Sequence, residues 1–379
     1  AYTVPALGQT GYEKLMPINP GHKDYVVVVA AGYNHDLEPA PLKIYVGVKG
    51  LDADGNEIAA DAPERDQFLG RNGLLYGKIY GLALANEAYA DLGIEADPNS
   101  KMMDAWLTSA DAPESFEAVF APTSFQWGGW DSPVAVGQTE MTLWQAADEQ
   151  PEGYTFFNGD SKTEHPAVDP DITKQRYVQN MTQEGGLIAL DLEGMGAMLS
   201  ELGAALPDMV PVTVDRMIAA VDGALTLDVA DKGIKHGGAD THATWEDGQA
   251  KMVAPDGLQW IKSSDADVII VDEDSGNDLG ERRYALIIDP ATMDLTEEAK
   301  GYFLAMAGGA LNPRALTEVS AYGDTFSDAT SSEFSGTWNV TSLLAAKDDG
   351  SFYTADELAG TGQQDVNGSL PLAEQVVIC

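Results

Sequence analysis

Short apolar runs broken by turn residues dominate the chain. Tyr25–Ala31, Leu42–Val48, Gly77–Leu84, Ser115–Phe120, Met141–Gln145, Gly186–Leu192, Ala224–Val229, Gln249–Val253, Gln259–Ile261, Asp267–Val271, Tyr284–Ile288 and Gly336–Val340 have the length and residue types of strands. Clusters such as Asp52-Ala-Asp-Gly-Asn56 and Gly159-Asp160-Ser161 separate them and supply turn chemistry. Three stretches follow a helical period instead. Met195, Met198, Leu199, Leu202 and Leu206 form one stripe, closed by Pro207. Val214, Met217, Ile218 and Val221 form a second, with Thr213 as cap and Gly223 as stop. Asp294 to Gly308 is the third, with Asp294 and Glu297 placed as a capping box. The pattern predicts a mainly β, propeller-like fold of about six blades with inserted helices. The helices at 193–223 would divide a β-rich half, 1–192, from a second, 224–379, or interrupt one closed propeller.

Charge narrows the partners. The chain carries 61 acids against 21 bases, a net charge of -40. Such a surface repels nucleic acid and anionic membranes and attracts cations. Hydrophobic residues make up 44 % of the chain, enough for a substantial core. No apolar run reaches the about 18 residues of a membrane-spanning helix, so membrane insertion is not expected. Cys379 is the single cysteine, which excludes an internal disulfide and an internal thiol nucleophile. The chain begins at Ala1 without a basic-apolar leader, as a mature protein would after loss of a targeting segment.

The densest candidate chemistry lies in Pro255–Asn277. An Asp256-Gly257 turn leads to the apolar run Val268–Val271, which delivers Asp272, Glu273 and Asp274 onto a Gly-containing loop. Acids at a strand end suit a hard cation such as calcium, and a solvated acidic loop is the plainer alternative. Asp52-Ala-Asp-Gly-Asn-Glu57 looks like a calcium loop, but its glycine falls at the wrong position for an EF-hand, so a β-turn is expected. His236, Asp240 and His242 match no closed zinc spacing. Trp127 and Trp130 with Phe125 would form either an aromatic platform or a packing cluster. No nucleophile elbow, Walker loop or dinucleotide fingerprint occurs. Asn180-Met-Thr182, Asn339-Val-Thr341 and Asn367-Gly-Ser369 are glycosylation sequons if the protein is secreted.

Four segments, in order, resemble the PhoX-type alkaline phosphatases. They are Tyr45-Val-Gly-Val-Lys49, Gly70-Arg-Asn-Gly-Leu-Leu-Tyr-Gly-Lys-Ile-Tyr-Gly-Leu82, Pro255–Asn277 and Asn312-Pro-Arg-Ala-Leu-Thr-Glu-Val-Ser320. The resemblance implies a six-bladed propeller with inserted helices and a calcium- and iron-dependent phosphomonoesterase, secreted or periplasmic. It carries Glu273 and Glu318 onto acid positions of the family pattern and, with Asp272 and Asp274, suggests a calcium site. The chain departs from the family at the iron-binding cysteine and at the His-Glu segment, which Pro20-Gly-His22-Lys23 and Tyr33-Asn-His35-Asp36 do not replace. Without those ligands the charge stabilisation of phosphoryl transfer is lost, and a non-catalytic role is expected.

The chain is also similar to the pyrenoid shell proteins of diatoms in its size, acidity, richness in Ala, Gly and Met, and single terminal cysteine. That resemblance implies a plastid protein that assembles with itself into a sheet or lattice. The apolar tail ending Val376-Val377-Ile378 would then serve assembly, unless it docks in its own domain.

Overall fold

β-branched and aromatic residues on a period of two build most of this molecule. The computed structural model describes residues 1–8, 11–33, 39–123, 150–159, 162–218, 254–274, 281–295, 301–307, 337–341, 349–351, 354, 368–371, 375 and 377–378. The first ten strands are β1 (Gly11–Ile18), β2 (Tyr25–Tyr33), β3 (Lys43–Val48), β4 (Tyr76–Ala85), β5 (Ser115–Pro122), β6 (Tyr154–Phe156), β7 (Pro166–Val168), β8 (Arg176–Met181), β9 (Gly186–Asp191) and β10 (Val210–Ile218). They form one antiparallel sheet in the order β1-β2-β3-β4-β5-β10-β9-β8-β7, with β6 beside β4. Its two ends approach each other through β1 and β7, so the sheet is nearly barrel-shaped. A second sheet is a plain meander of β11 (Pro255–Lys262), β12 (Asp267–Glu273), β13 (Glu281–Ile288) and β14 (Gly301–Ala307). A third pairs β15 (Trp338–Asn339) with β16 (Val377–Ile378).

Contacts divide the chain into two units. The first comprises Ala1–Gln179 and Ile188–Arg216, the second Asn180–Leu187 and Met217–Cys379. The expected mainly β character is observed, and helices are few. α1 (Glu64–Arg71), α2 (Met102–Thr108) and α3 (Met195–Leu202) are α-helices described from end to end. The expected stripe at Met195 is α3, and Gly203 ends it in a left-handed conformation at φ 67°.

In their described residues, two expected helices contain strands instead. Residues 210–218 alternate in burial along β10, with Val210, Val212, Val214, Arg216 and Ile218 buried. Val214 and Ile218 are four apart, which fits one turn of helix and also two steps of strand; the β-branched valines settle the choice for the strand. Residues 301–307, expected within the helix 294–308, form β14, with Phe303 opposite Tyr284. The Met141, Ala224 and Gln249 runs lie outside the described residues.

Tyrosine hydroxyls tie loops to the first sheet. Tyr25 donates to Ala205 O at 2.6 Å, Tyr80 to Pro207 O at 2.8 Å and Tyr89 to Thr155 O at 2.9 Å. Each ring is buried while its polar end meets a backbone carbonyl. Tyr45 does the same, donating to Gly73 O at 2.9 Å inside a cluster of Ala6, Val28, Leu69, Leu75 and Ile79. Gly47 and Gly77, directly opposite each other in β3 and β4, make that reach possible. A Cβ on Gly77 would lie 2.1 Å from the Tyr45 hydroxyl, and one on Gly47 2.0 Å from Gly73 O. Gly77→Ala is therefore expected to lower stability by about 1–3 kcal/mol, since the buried ring has nowhere to swing. Tyr45→Phe, which removes only the hydrogen bond, should cost about 1 kcal/mol. Urea midpoints of the two variants would reverse in order if the glycine pair had no steric purpose.

Candidate functional site

The acids singled out in the sequence lie on and beyond β12. Asp267 to Glu273 is a regular strand, buried along its whole length. Successive side chains of a strand point to opposite faces of the sheet. Asp272 therefore shares a face with Val268 and Ile270, while Glu273 shares the other with Ile269 and Val271. The register confirms the division. Val268, Ile270 and Asp272 stand opposite Ile287, Ala285 and Arg283 of β13. The first two pairs belong to one apolar cluster with Ile261, and Asp272–Arg283 closes that row.

Asp272 and Arg283 form a buried two-pronged ion pair. Arg283 Nη2 donates to Asp272 Oδ2 at 2.8 Å, and Nε donates to Oδ1. Both side chains are almost fully shielded, at 2 % and 3 % exposure. Gly257 lets the carboxylate sit there: a Cβ at that position would be 2.7 Å from Asp272 Oδ2. The expected Asp256-Gly257 turn is thus an irregularity inside β11, where pairing jumps from Pro255↔Glu273 to Leu258↔Val271. Glycine is required by a close approach of a side chain, and the Asp-Gly pair does not reverse the chain.

Glu273 is buried at 1 % exposure, opposite Pro255, and Asp274 follows it at intermediate exposure. Its backbone N–H donates to Ala254 O at 2.8 Å. Glu318 lies outside the described residues, as do the His236–His242 loop and the Trp127–Trp130 cluster. The structure therefore brings Asp272 to an arginine and places Glu273 on the opposite face. Among the described residues no group of three His, Cys, Asp or Glu converges as metal ligands would.

Other buried polar groups are also committed to the fold, those of the Asn180 sequon among them. Asn180 and Thr182 are both buried, and the Thr182 hydroxyl donates to Pro255 O at 2.7 Å. Asn180 Nδ2 donates to the Thr182 hydroxyl at 2.8 Å, so this sequon is occluded in the folded chain. Arg176 Nε donates to Asp169 Oδ2 at 3.0 Å in a second buried pair. Arg216, on β10, donates to the carbonyls of Trp106, Ser109 and Ala112 and to Glu114. Its charge thereby meets the carbonyl end of α2, where a cation is favoured. The Asp52–Glu57 segment is the expected turn: Asp52 Oδ1 accepts from the backbone N–H groups of Asp54 and Asn56 at 3.0 and 2.9 Å.

No family model, curated protein or solved structure matches the chain.

The tail residues have a defined place. Val377 and Ile378 form β16 and pair with Asn339 and Trp338 of the same unit, while Val376 lies outside the described residues. Docking in its own domain is thus the arrangement seen. No described helix is long and apolar enough to cross a membrane.

Proposed function

We propose that the chain is a non-catalytic structural protein that assembles with copies of itself into a shell or lattice, in the manner of the pyrenoid shell proteins it resembles, within the plastid. The observation that carries this reading is β14. It is the last strand of its sheet among the described residues, and its sequence is Gly-Tyr-Phe-Leu-Ala-Met-Ala, without a charge or a proline. Edge strands of monomeric proteins are commonly guarded by lysine, proline or a bulge. The opposite edge, β11, has all three, with Pro255, Lys262 and the irregularity at Gly257. β14 has the irregularity alone, where pairing with β13 jumps from Arg283↔Ala305 to Tyr284↔Phe303, and its seven residues carry no lysine or proline to oppose another strand. Buried ion pairs add support, since Asp272–Arg283 and Asp169–Arg176 commit those carboxylates to holding the fold.

A net charge of -40 opposes close contact between copies. Assembly should therefore strengthen with salt or divalent cations, which screen or bridge the acids. Light scattering and electron microscopy of the purified chain across a salt series should show growing sheets or tubes. Adjacent residues of an edge strand direct their N–H groups alternately outward and inward, so Ala305→Pro and Met306→Pro affect different sides. One of the two is expected to keep the thermal stability of the monomer and abolish assembly. A chain that stays monomeric at every ionic strength ends this reading.

The second reading is a secreted or periplasmic calcium- and iron-dependent phosphomonoesterase on a six-bladed propeller. It is favoured by the meander β11–β14, which has the strand number of one propeller blade and holds buried Glu273 at a strand end. Calcium would then be held by Glu273, Asp274 and Glu318. Hydrolysis of p-nitrophenyl phosphate with calcium and iron, lost in Glu273→Gln, would establish it.

A further inference from the structure

Arginines of this chain neutralise its acids. Among those whose side chains are described, Arg65 pairs with Asp66, Arg176 with Asp169, Arg216 with Glu114 and Arg283 with Asp272. Arg71 is different. Its guanidinium stands over the ring of Phe68, 5.1 Å from the centroid, and meets no carboxylate among the described residues. The two residues are three apart on α1 and so are neighbours on one face of the helix. The Tyr2 ring lies 5.6 Å from that of Phe68, tilted by 47°. All three side chains are exposed, Tyr2 at 42 % and Phe68 at 40 %.

The fold makes little use of this face. α1 packs through Leu69, in the cluster of Ala6, Val28, Tyr45 and Leu75. Asn72 Nδ2 donates to Phe68 O at 2.6 Å and serves a carbonyl at the helix end. A cation in the last turn is favoured there, but the effect is small at an exposed site. The planar fork of N–H donors, shaped to hold a carboxylate in two-pronged fashion, is thus left for an acceptor from outside. Charge says where one is abundant. Residues 1–80 hold 10 acids and 7 bases, while residues 81–379 hold 51 acids and 14 bases. The stretch that carries the patch is close to neutral, and the rest of the chain holds nearly all of the net charge of -40.

We propose that Tyr2, Phe68 and Arg71 form a docking surface for an acidic surface of a second copy, with Arg71 taking a carboxylate of that copy. The inference rests on the self-assembly reading and names a contact through which copies join. Tyrosine and arginine are the residue types that carry most of the binding energy of protein interfaces, and a guanidinium stacked on a ring combines both kinds of contact. The two surfaces joined are different, so the contact propagates into filaments or sheets unless geometry closes it into a ring. Salt screens the long-range repulsion between copies more than a contact partly shielded from water, so screening favours this docking at moderate ionic strength.

Arg71→Glu and Lys174→Glu separate the patch from bulk charge. Each replaces one positive charge by one negative, and Lys174 is an exposed residue between β7 and β8. At assembling salt, Arg71→Glu is expected to raise the concentration at which assemblies form by about tenfold, and Phe68→Ala by a smaller factor, with Lys174→Glu within about twofold of the parent. At low salt the urea midpoints of all three monomers should stay near that of the parent, because the replaced side chains are exposed. The Arg71→Lys chain, which keeps the charge, identifies the occupant. Labelled and unlabelled copies are mixed, assembled and treated with a carbodiimide, which should join position 71 of one isotope to an Asp or Glu of the other. Arg71→Glu assembling at the same concentration as Lys174→Glu, or links from position 71 that never combine the two isotopes, overturns the docking surface and leaves the self-assembly reading standing. A parent chain that stays monomeric at every ionic strength overturns both.

Discussion

Asp272→Asn is expected to destabilise the protein by about 3–5 kcal/mol, and by the same amount with calcium present or removed. The carboxylate stands directly opposite Arg283 in the ladder and accepts from two of its nitrogens. Asparagine keeps the volume but offers one acceptor oxygen and no charge. The guanidinium then stays buried without its counter-ion, which costs far more than the pair itself contributes. Replacing both residues together, Asp272→Leu with Arg283→Met, should recover most of the loss, because no charge is left stranded. Urea unfolding in millimolar calcium and in chelator separates this clasp from a metal site. Were Asp272 a calcium ligand, the deficit of Asp272→Asn would appear only with calcium, since a ligand of the native state stabilises by mass action.

The same residues show what the sequence made legible and what it hid. β2, β3, β4, β9 and β12 announce themselves through Val27-Val-Val-Ala30, Ile44–Val48, Ile79–Leu84, Leu187–Leu190 and Val268–Val271, which are apolar and largely buried on both faces. β8 does not, because Arg176, Gln179 and Asn180 look like loop residues. They are buried since Arg176 meets Asp169 and Asn180 meets Thr182. Both partners are near in sequence, Thr182 two residues on and Asp169 seven back, yet residue types alone do not say which polar groups pair inside. β10 was hidden by a coincidence of period at Val214 and Ile218. β1 alternates exposed and half-buried positions at a sheet end, where Glu13, Lys14 and an exposed Leu15 blur the apolar signal. The acids Asp272, Glu273 and Asp274 were visible as a cluster along the chain, yet proximity in sequence is not convergence. Extending β12 by two residues puts neighbouring carboxylates on opposite faces, and strand alternation alone was sufficient to separate them. Arg283 as the partner of Asp272 required the register of the β12–β13 hairpin. The number of residues between the two strands sets no pairing by itself.

Lys43→Met carries the other large expected effect, and the effect depends on pH. Lys43 lies in β3 at 2 % exposure, with its Nζ donating to Gly32 O at 3.0 Å. The same carbonyl accepts from the Thr163 hydroxyl at 2.8 Å, and the Gly32 N–H donates to Thr163 O at 2.7 Å. The amine thus sits beside the contact that ties Thr163 to β2. Burial pushes its pKa down from 10.5 to about 7. Because the folded value lies below the unfolded one, the unfolded chain binds the extra proton between about pH 7 and 10.5. Stability then rises with pH across that window, and below it the full penalty of burying the charge is present. The linked free energy is on the order of 4–5 kcal/mol. Methionine fills nearly the same space and carries no charge. The hydrogen bond to Gly32 O that it gives up is worth about 1 kcal/mol, on a carbonyl that Thr163 still serves. Lys43→Met should therefore be several kcal/mol more stable than the parent chain at about pH 6, with the advantage shrinking as pH rises and vanishing near pH 10. Urea unfolding of both proteins in parallel, at fixed ionic strength, removes the titration of the acids they share. A difference between them that does not change with pH would mean that the buried amine binds its proton as an exposed lysine does.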